Sequence, residues 1–449
     1  MLDFSAENRY ILNMERDIIN SLIYWKNSVN RKPLILQGAR QVGKTYILKE
    51  FGKKEYKNVV YINFETEPHF TTIFEYINNI GKLIELLEIK SGQKISPQKT
   101  LIIFDEIQAY PDALNSLKYF NEGANQYHIA AAGSLLGVAL ANVKSFPVGK
   151  VNFLDMYPLT FLEFLSAIGK ESLRKYLENN SVNFSDVPNA FHGELIDILK
   201  FYYFIGGMPE AISVYMKTKN MQEVRSVHNE ILRAYRNDFS KHASKSDVIK
   251  INSILASIPK HLSKANSRFV FSAIKRSARA KDYEFALQWL LDAGIIYRVD
   301  RISKPEIPLI AFTDTAFKIY FLDVGLLSAL ANLPQEVIVE GDEIFTHFKG
   351  AMVENYVVQQ LTLQYKKLFY WESEGKAEVD LIISDRFNVI PIEIKAGKST
   401  KSKSLNVYDK KFNPKFALQF NLQNFGKSGK FYNYPLYSVS LFRNPTQSS

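Results

Sequence analysis

Gly38-Ala39-Arg40-Gln41-Val42-Gly43-Lys44-Thr45 is the stretch whose reading decides the fold. Before it runs Pro33-Leu34-Ile35-Leu36-Gln37, short and apolar like a buried parallel strand; after it, Thr45-Tyr46-Ile47-Leu48-Lys49-Glu50-Phe51 opens as a helix. Two glycines with four residues between them, then Lys and Thr, between a strand and a helix, describe a phosphate-binding P-loop. The glycines let the backbone wrap round phosphate groups, with the N–H groups of the helix start pointing at them. All eight residues are therefore expected to cradle a nucleotide. Lys44 would reach the β- and γ-phosphates, and the Thr45 hydroxyl would join a Mg²⁺ shell. The expected ligands are ATP and Mg²⁺.

Working outward, residues 59–64 form a β-branched and aromatic run that predicts a second strand. Thr100-Leu101-Ile102-Ile103-Phe104-Asp105-Glu106 predicts a third, ending in two acids. An apolar strand ending in Asp-Glu after a P-loop is the pattern of a Walker B element. Asp105 would hold Mg²⁺ through water, and Glu106 would polarise the attacking water. Residues 127–132 predict a fourth strand, closed by Gly133 and Ser134, with Ser134 beside the nucleotide at a strand carboxyl end. Alternating strands and helices make this an α/β fold, a parallel sheet with helices on both faces.

The chain has 449 residues and 46% hydrophobic composition, enough for about three globular domains. It has no cysteine, which excludes disulfides, thiolate metal sites and a cysteine nucleophile. Its first residues show neither a basic n-region nor an apolar h-region, and the longest apolar stretch, 129–143, is too short for a membrane span. A cytoplasmic protein without membrane contact is expected. The net charge is +10, and from Lys395 onward nine Lys and one Arg face one acid, Asp409. Such a segment is either a solvated basic face or an electrostatic footprint for nucleic acid.

Residues 201–210, with Gly206-Gly207-Met208-Pro209, predict a tight reversal in a helical stretch. Residues 267–298 predict a winged helix, with a recognition-type helix over 282–293 and a strand over 295–299. Lys264, Arg268, Lys275, Arg276, Arg279 and Lys281 precede that helix and suit DNA contact. Asp282 and Glu284 at its start oppose this, so packing against the nucleotide-binding domain is the equal reading.

Two further strands are predicted over 376–383 and 389–395, joined by a turn through Asp385 to Asn388. A simple hairpin sets Asp380 opposite Glu393, on one face, with Lys395 two residues on. Carboxylates on an apolar hairpin are costly to bury unless paired or metal-bound. Asp380, Glu393 and Lys395 form the Asp…Glu-x-Lys arrangement of Mg²⁺-dependent nucleases, acids on the metal and lysine on the water. Glu354, on a helix predicted over 351–365 and in line with Val357, Val358 and Leu361, would be a further metal ligand or an orienting group. The other reading is an ion cluster that shapes the fold and cuts nothing.

The P-loop, Phe104-Asp105-Glu106-Ile107-Gln108 and Tyr157-Pro158-Leu159-Thr160-Phe161-Leu162-Glu163-Phe164-Leu165 together resemble a prokaryotic family of AAA-type ATPases fused to a C-terminal domain of unknown function. The resemblance implies an AAA core over 1–165, a helical lid over 166–245, a winged-helix region over 246–335 and a restriction-endonuclease-like domain over 336–449. It also implies a similar helix at Glu354 and similar strands at Asp380 and Glu393. Two positions depart from the family pattern: Ala132-Gly133-Ser134 stands for Thr-Gly-Ser, and Gly149-Lys150 for Gly-Arg. Lys150 lacks the planar fork of arginine, which predicts slow hydrolysis or the need for a partner. The expected activity is ATP hydrolysis coupled to action on DNA. The alternatives are an ATP-gated DNA- or protein-binding regulator and a homo-oligomeric protein remodeller.

Overall fold

Leu34–Gln37 (β1), Asn58–Asn63 (β2), Thr100–Asp105 (β3), His128–Gly133 (β4) and Asn152–Asp155 (β5) form a five-stranded sheet in the order β2-β3-β4-β1-β5. Every pairing is parallel. β3 and β4 are buried at every position, which is why they read as unbroken apolar runs. The structure, a computed structural model, describes residues 14–133, 147–264, 267–339, 346–373, 377–399 and 402–442. The chain divides into two compact units. One is Arg16–Tyr157 with Asp292–Gly294 and holds the parallel sheet; the other is built from Pro158–Leu291 and the described residues from Ile295 onward, with Met14 and Glu15.

In the first unit the sheet is flanked by the helices Lys44–Glu55, Ile80–Ser91 and Pro111–Gly123. Leu83, Leu87, Leu117 and Phe120 pack with Val60, Ile62, Ile102 and Phe104 in one apolar core. The second unit is helical from Phe161 to Leu262, and then builds a mixed sheet. Its strands are Ile296–Ile302 (β6), Thr313–Phe321 (β7), Leu368–Ser373 (β8), Ala377–Asp385 (β9), Asn388–Ile394 (β10), Ala417–Asn421 (β11), Gly426–Ser428 (β12) and Phe431–Pro435 (β13). Their order is β12-β13-β11-β10-β9-β8-β6-β7.

The residues from Pro158 onward belong with the helices rather than with the parallel sheet. Leu159 N–H donates to Gly207 O at 2.7 Å, Tyr202 Oη to Leu159 O at 2.5 Å, and Phe161 N–H to Gln360 Oε1 at 3.0 Å. A Cβ on Gly207 would lie 2.2 Å from Leu159 O, so only glycine admits that approach. The motif 157–165 thus carries a docking strap and a capping box: Glu163 N–H donates to Thr160 Oγ1, and Thr160 N–H to Glu163 Oε2. The helix Ala280–Asp292 is followed by an antiparallel β6–β7 hairpin, and β6 also pairs in parallel with β8. That pairing makes the hairpin part of the C-terminal sheet.

Beside the Gly206-Gly207 turn sits the buried Asp323. Its carboxylate accepts from Gly207 N–H at 2.6 Å, Leu326 N–H at 2.9 Å and Gln359 Nε2 at 3.2 Å. Burial raises its pKa to about 6 against these three donors. His228, also buried, donates Nε2–H to Ile205 O at 2.9 Å. Burial and then Arg225 lower the His228 pKa from 6.5 to about 3. A depressed folded pKa means stability that is whole above pH 6.5 and lost as pH falls toward 3. Between pH 7 and pH 5 this amounts to about 2 kcal/mol, while Asp323 works in the opposite direction. Urea titrations of wild type and His228→Gln at both pH values should therefore show a smaller acid loss in the variant, by about 2 kcal/mol. Parallel losses would place the acid sensitivity elsewhere.

Candidate functional site

The first site is built at the carboxyl ends of β1 and β3. Gly38 has φ +146°, and a Cβ there would stand 2.1 Å from Met156 O. Gly43 caps the helix Lys44–Glu55 with φ +98°, and Gln41 is also left-handed at φ +66°. These left-handed residues turn successive N–H groups inward, the geometry of an anion nest at a helix start. Arg16 braces the loop from behind: Nη1 donates to Val42 O at 3.0 Å and Nη2 to Tyr157 O at 2.6 Å.

Lys44 is 6% exposed, and its Nζ donates to Gly38 O at 2.9 Å and Ala39 O at 2.8 Å. Burial lowers its pKa to about 8, opposed by Glu106 and Asp105. Thr45 Oγ1 donates to Asp105 Oδ2 at 2.8 Å, joining the P-loop to the acidic strand end. Tyr61 Oη donates to the same oxygen at 2.7 Å. Glu106 has a left-handed backbone, φ +49°, and its Oε2 accepts from Gln108 Nε2 at 2.5 Å. A non-glycine residue held there stores of the order of 1–3 kcal/mol, a cost that clusters at functional sites. The donor set suits Mg-ATP: oxygen ligands at Thr45 and Asp105, a buried ammonium and a nest of N–H groups. Ser134 lies outside the described residues. Lys150 forms an ion pair with Glu122 at 3.0 Å.

The second site lies on β9 and β10. The hairpin pairs Asp385 with Asn388 and continues to Leu381 opposite Ile392. The regular pairing ends there, beside an irregularity in the β8–β9 register between Phe369 and Trp371, and Asp380 meets β10 through its side chain. Glu393 is 3% exposed; its Oε1 meets Lys395 Nζ at 2.5 Å, and its Oε2 is buried without a hydrogen-bond partner. Asp380 Oδ2 accepts from Ile394 N–H at 2.7 Å. Burial, then Glu393 and Glu354, raise the Asp380 pKa well above the carboxylate range. Burial lowers the Lys395 pKa, but Glu393, Asp380 and Glu354 together raise it further.

Glu354, on the helix Thr346–Leu361, accepts from Tyr320 Oη at 3.0 Å. Lys318 on β7 is fully buried and pairs with Glu378. Burial lowers its pKa; Tyr320, Glu354, Glu378 and Asp380 more than reverse this. Among the described residues no three carboxylate or histidine side chains are arranged as a ready metal cage. Glu354 and Glu393 are instead engaged by Tyr320 and Lys395. Mg²⁺ commonly uses one or two protein carboxylates and keeps several waters, so Asp380 and Glu393 suffice as a donor set.

The sequence reading gives no site role to Tyr61, Gln108, Arg16, Lys318 or Tyr320, although Gln108 lies in the motif after Glu106 and Tyr61 in the second strand. Lys318 had a signal, a single lysine inside the apolar run 316–321. Tyr61 shares its strand face with Asn63, whose register partner is Asp105. Arg16 had none.

No curated protein matches this sequence significantly. Three family models match parts of it: an AAA domain over residues 30–165, a domain of unknown function (DUF8612) over 196–337, and another (DUF4143) over 349–438. Among solved structures, the Walker-type ATPase PABY2304 of Pyrococcus abyssi aligns at 14% identity and TM-score 0.46, covering 71% of this chain and 96% of that one. The Aeropyrum pernix Orc1 protein in complex with DNA aligns at 13% identity and TM-score 0.31, covering 73% and 95%. Both are too distant to carry a residue role or an activity across. The parallel sheet, the P-loop and the AAA match agree, and the first unit is a P-loop ATPase domain of the AAA type.

Proposed function

We propose that this protein binds and hydrolyses Mg-ATP in its first unit and uses the nucleotide to control action on DNA by its second. The observation that carries the first half is the single oxygen of Asp105 that receives both Thr45 and Tyr61, beside a buried Lys44. Thr45 and Asp105 would hold Mg²⁺, which supplies positive charge to the phosphate oxygens when bound. Lys44 and the N–H groups of the loop would hold the β- and γ-phosphates. Glu106, steadied by Gln108, would orient a water toward the γ-phosphorus and take its proton. The bond to the bridging oxygen breaks, and ADP leaves. Ser134 would sense the γ-phosphate from the end of β4.

For the second half, the unpartnered Glu393 Oε2 beside Asp380 is the supporting observation. Asp380 and Glu393 would hold Mg²⁺, with Glu354 orienting them. Lys395, held by Glu393, would position the water that attacks a DNA phosphodiester. In a nicking assay with Mg²⁺ or Mn²⁺, Asp380→Ala should lower cutting at least about 100-fold. Equal cutting by both proteins would mark a contaminant, and no cutting by wild type would remove the nuclease reading.

Lys318 favours a second reading. Its buried ammonium already supplies positive charge to these carboxylates, as a metal would, which suits an ATP-gated regulator that binds DNA or a protein without cutting. That reading predicts nucleotide-dependent DNA retention that survives Asp380→Ala but not Lys44→Ala.

A further inference from the structure

Asp105 is buried, and three donors of the first unit already hold its carboxylate. Oδ2 accepts from Thr45 Oγ1 at 2.8 Å and from Tyr61 Oη at 2.7 Å, and Oδ1 accepts from Glu106 N–H at 3.2 Å. An ionised carboxylate offers about four acceptor sites, shared between its two oxygens. Oδ2 is therefore filled by two hydroxyls, and Oδ1 keeps a single open site. That remainder suits one hydrogen bond from a water. It does not suit a carboxylate that grips a cation with both oxygens.

Thr45 can keep its bond to Asp105 and still offer an oxygen lone pair to Mg²⁺, because a hydroxyl carries one proton and two lone pairs. Tyr61 has no such second task. It lies on β2 two residues before Asn63, the register partner of Asp105, so Tyr61 and Asn63 share a face of the sheet. Asn63 Nδ2 donates to Tyr61 Oη at 3.3 Å, which commits the single phenolic proton to Asp105. Lys49, on the helix Lys44–Glu55, holds its Nζ 3.4 Å from the centre of the Tyr61 ring. A cation over the ring is attracted to its face and keeps the ring in place.

We propose that Tyr61 is a positioning residue that sets the cation specificity of the nucleotide site, by restricting Asp105 to contact through water. Mg²⁺ dehydrates reluctantly and keeps several waters, so a single open acceptor serves it. Ca²⁺ gathers about six to eight oxygen ligands and takes carboxylates through one or both oxygens. With Oδ2 closed by Thr45 and Tyr61, Asp105 serves the first cation better than the second. This rests on the reading that the first unit binds Mg-ATP, and names the residue that selects the metal.

The test is calorimetric titration of the full-length protein with a non-hydrolysable ATP analogue in Mg²⁺, in Ca²⁺ and in EDTA, a readout of binding rather than turnover. Tyr61→Phe removes one oxygen, keeps the ring beside Lys49 and should melt like wild type. Wild type should bind the analogue more tightly with Mg²⁺ than with Ca²⁺. In Tyr61→Phe the ratio of those two affinities should fall at least about fivefold, for one lost hydrogen bond to a charged group, while affinity in EDTA stays within about twofold. A purely structural role for Tyr61 would lower all three affinities alike and leave the ratio unchanged. An unchanged ratio, or a wild type that binds equally well with both cations, overturns the assignment to Tyr61 and leaves the Mg-ATP reading standing. Wild type that binds no better with either cation than in EDTA overturns the Mg-ATP reading as well.

Discussion

Lys44→Ala should abolish ATP binding at concentrations that saturate wild type. Lys44 is the buried cation of the loop, and its Nζ already donates to two loop carbonyls. Hydrogen bonds to charged groups are worth about 1.5–3 kcal/mol, and more in a site shielded from water. Losing them predicts an affinity at least about 100-fold weaker. Thermal shift separates this from a folding defect. At 100 times its dissociation constant ATP stabilises wild type by about 2.7 kcal/mol, and the variant should gain almost nothing. An equal nucleotide-induced shift in both proteins contradicts the P-loop assignment.

Glu106→Gln should bind ATP as wild type does and turn it over at least about 100-fold more slowly. The substitution keeps the shape of the side chain and removes the charge that orients water. The left-handed backbone of Glu106 points the same way. A residue kept at φ +49° with its carboxylate braced by Gln108 has its position specified from both ends. Gln108→Ala should then slow turnover less than Glu106→Gln while leaving ATP affinity unchanged. Wild-type turnover by Glu106→Gln would assign the water to another residue.

The legible parts of this molecule are the local ones. The P-loop is eight consecutive residues whose glycines answer a backbone need, and the structure shows that need at Gly38 and Gly43. β1, β3 and β4 were readable because strands buried on both faces are unbroken apolar runs. β5 was not, being four residues at a sheet edge with Phe153 44% exposed. The β9–β10 hairpin was readable in its turn, since a two-residue turn between Asp385 and Asn388 fixes the register of the pairs next to it. Lys318 and Tyr320 were missed because they reach Glu378 and Glu354 from a strand 60 and 34 residues earlier in the chain. The β6–β8 pairing that places β7 in that sheet has no local signature.

ATP turnover by the purified protein, alone and with single-stranded or duplex DNA, tests the central claim most directly, with the DNA examined for cuts afterwards. The account predicts Mg²⁺-dependent turnover that rises with DNA and disappears in Glu106→Gln. Absence of turnover under all three conditions, or equal turnover by Lys44→Ala, would contradict it.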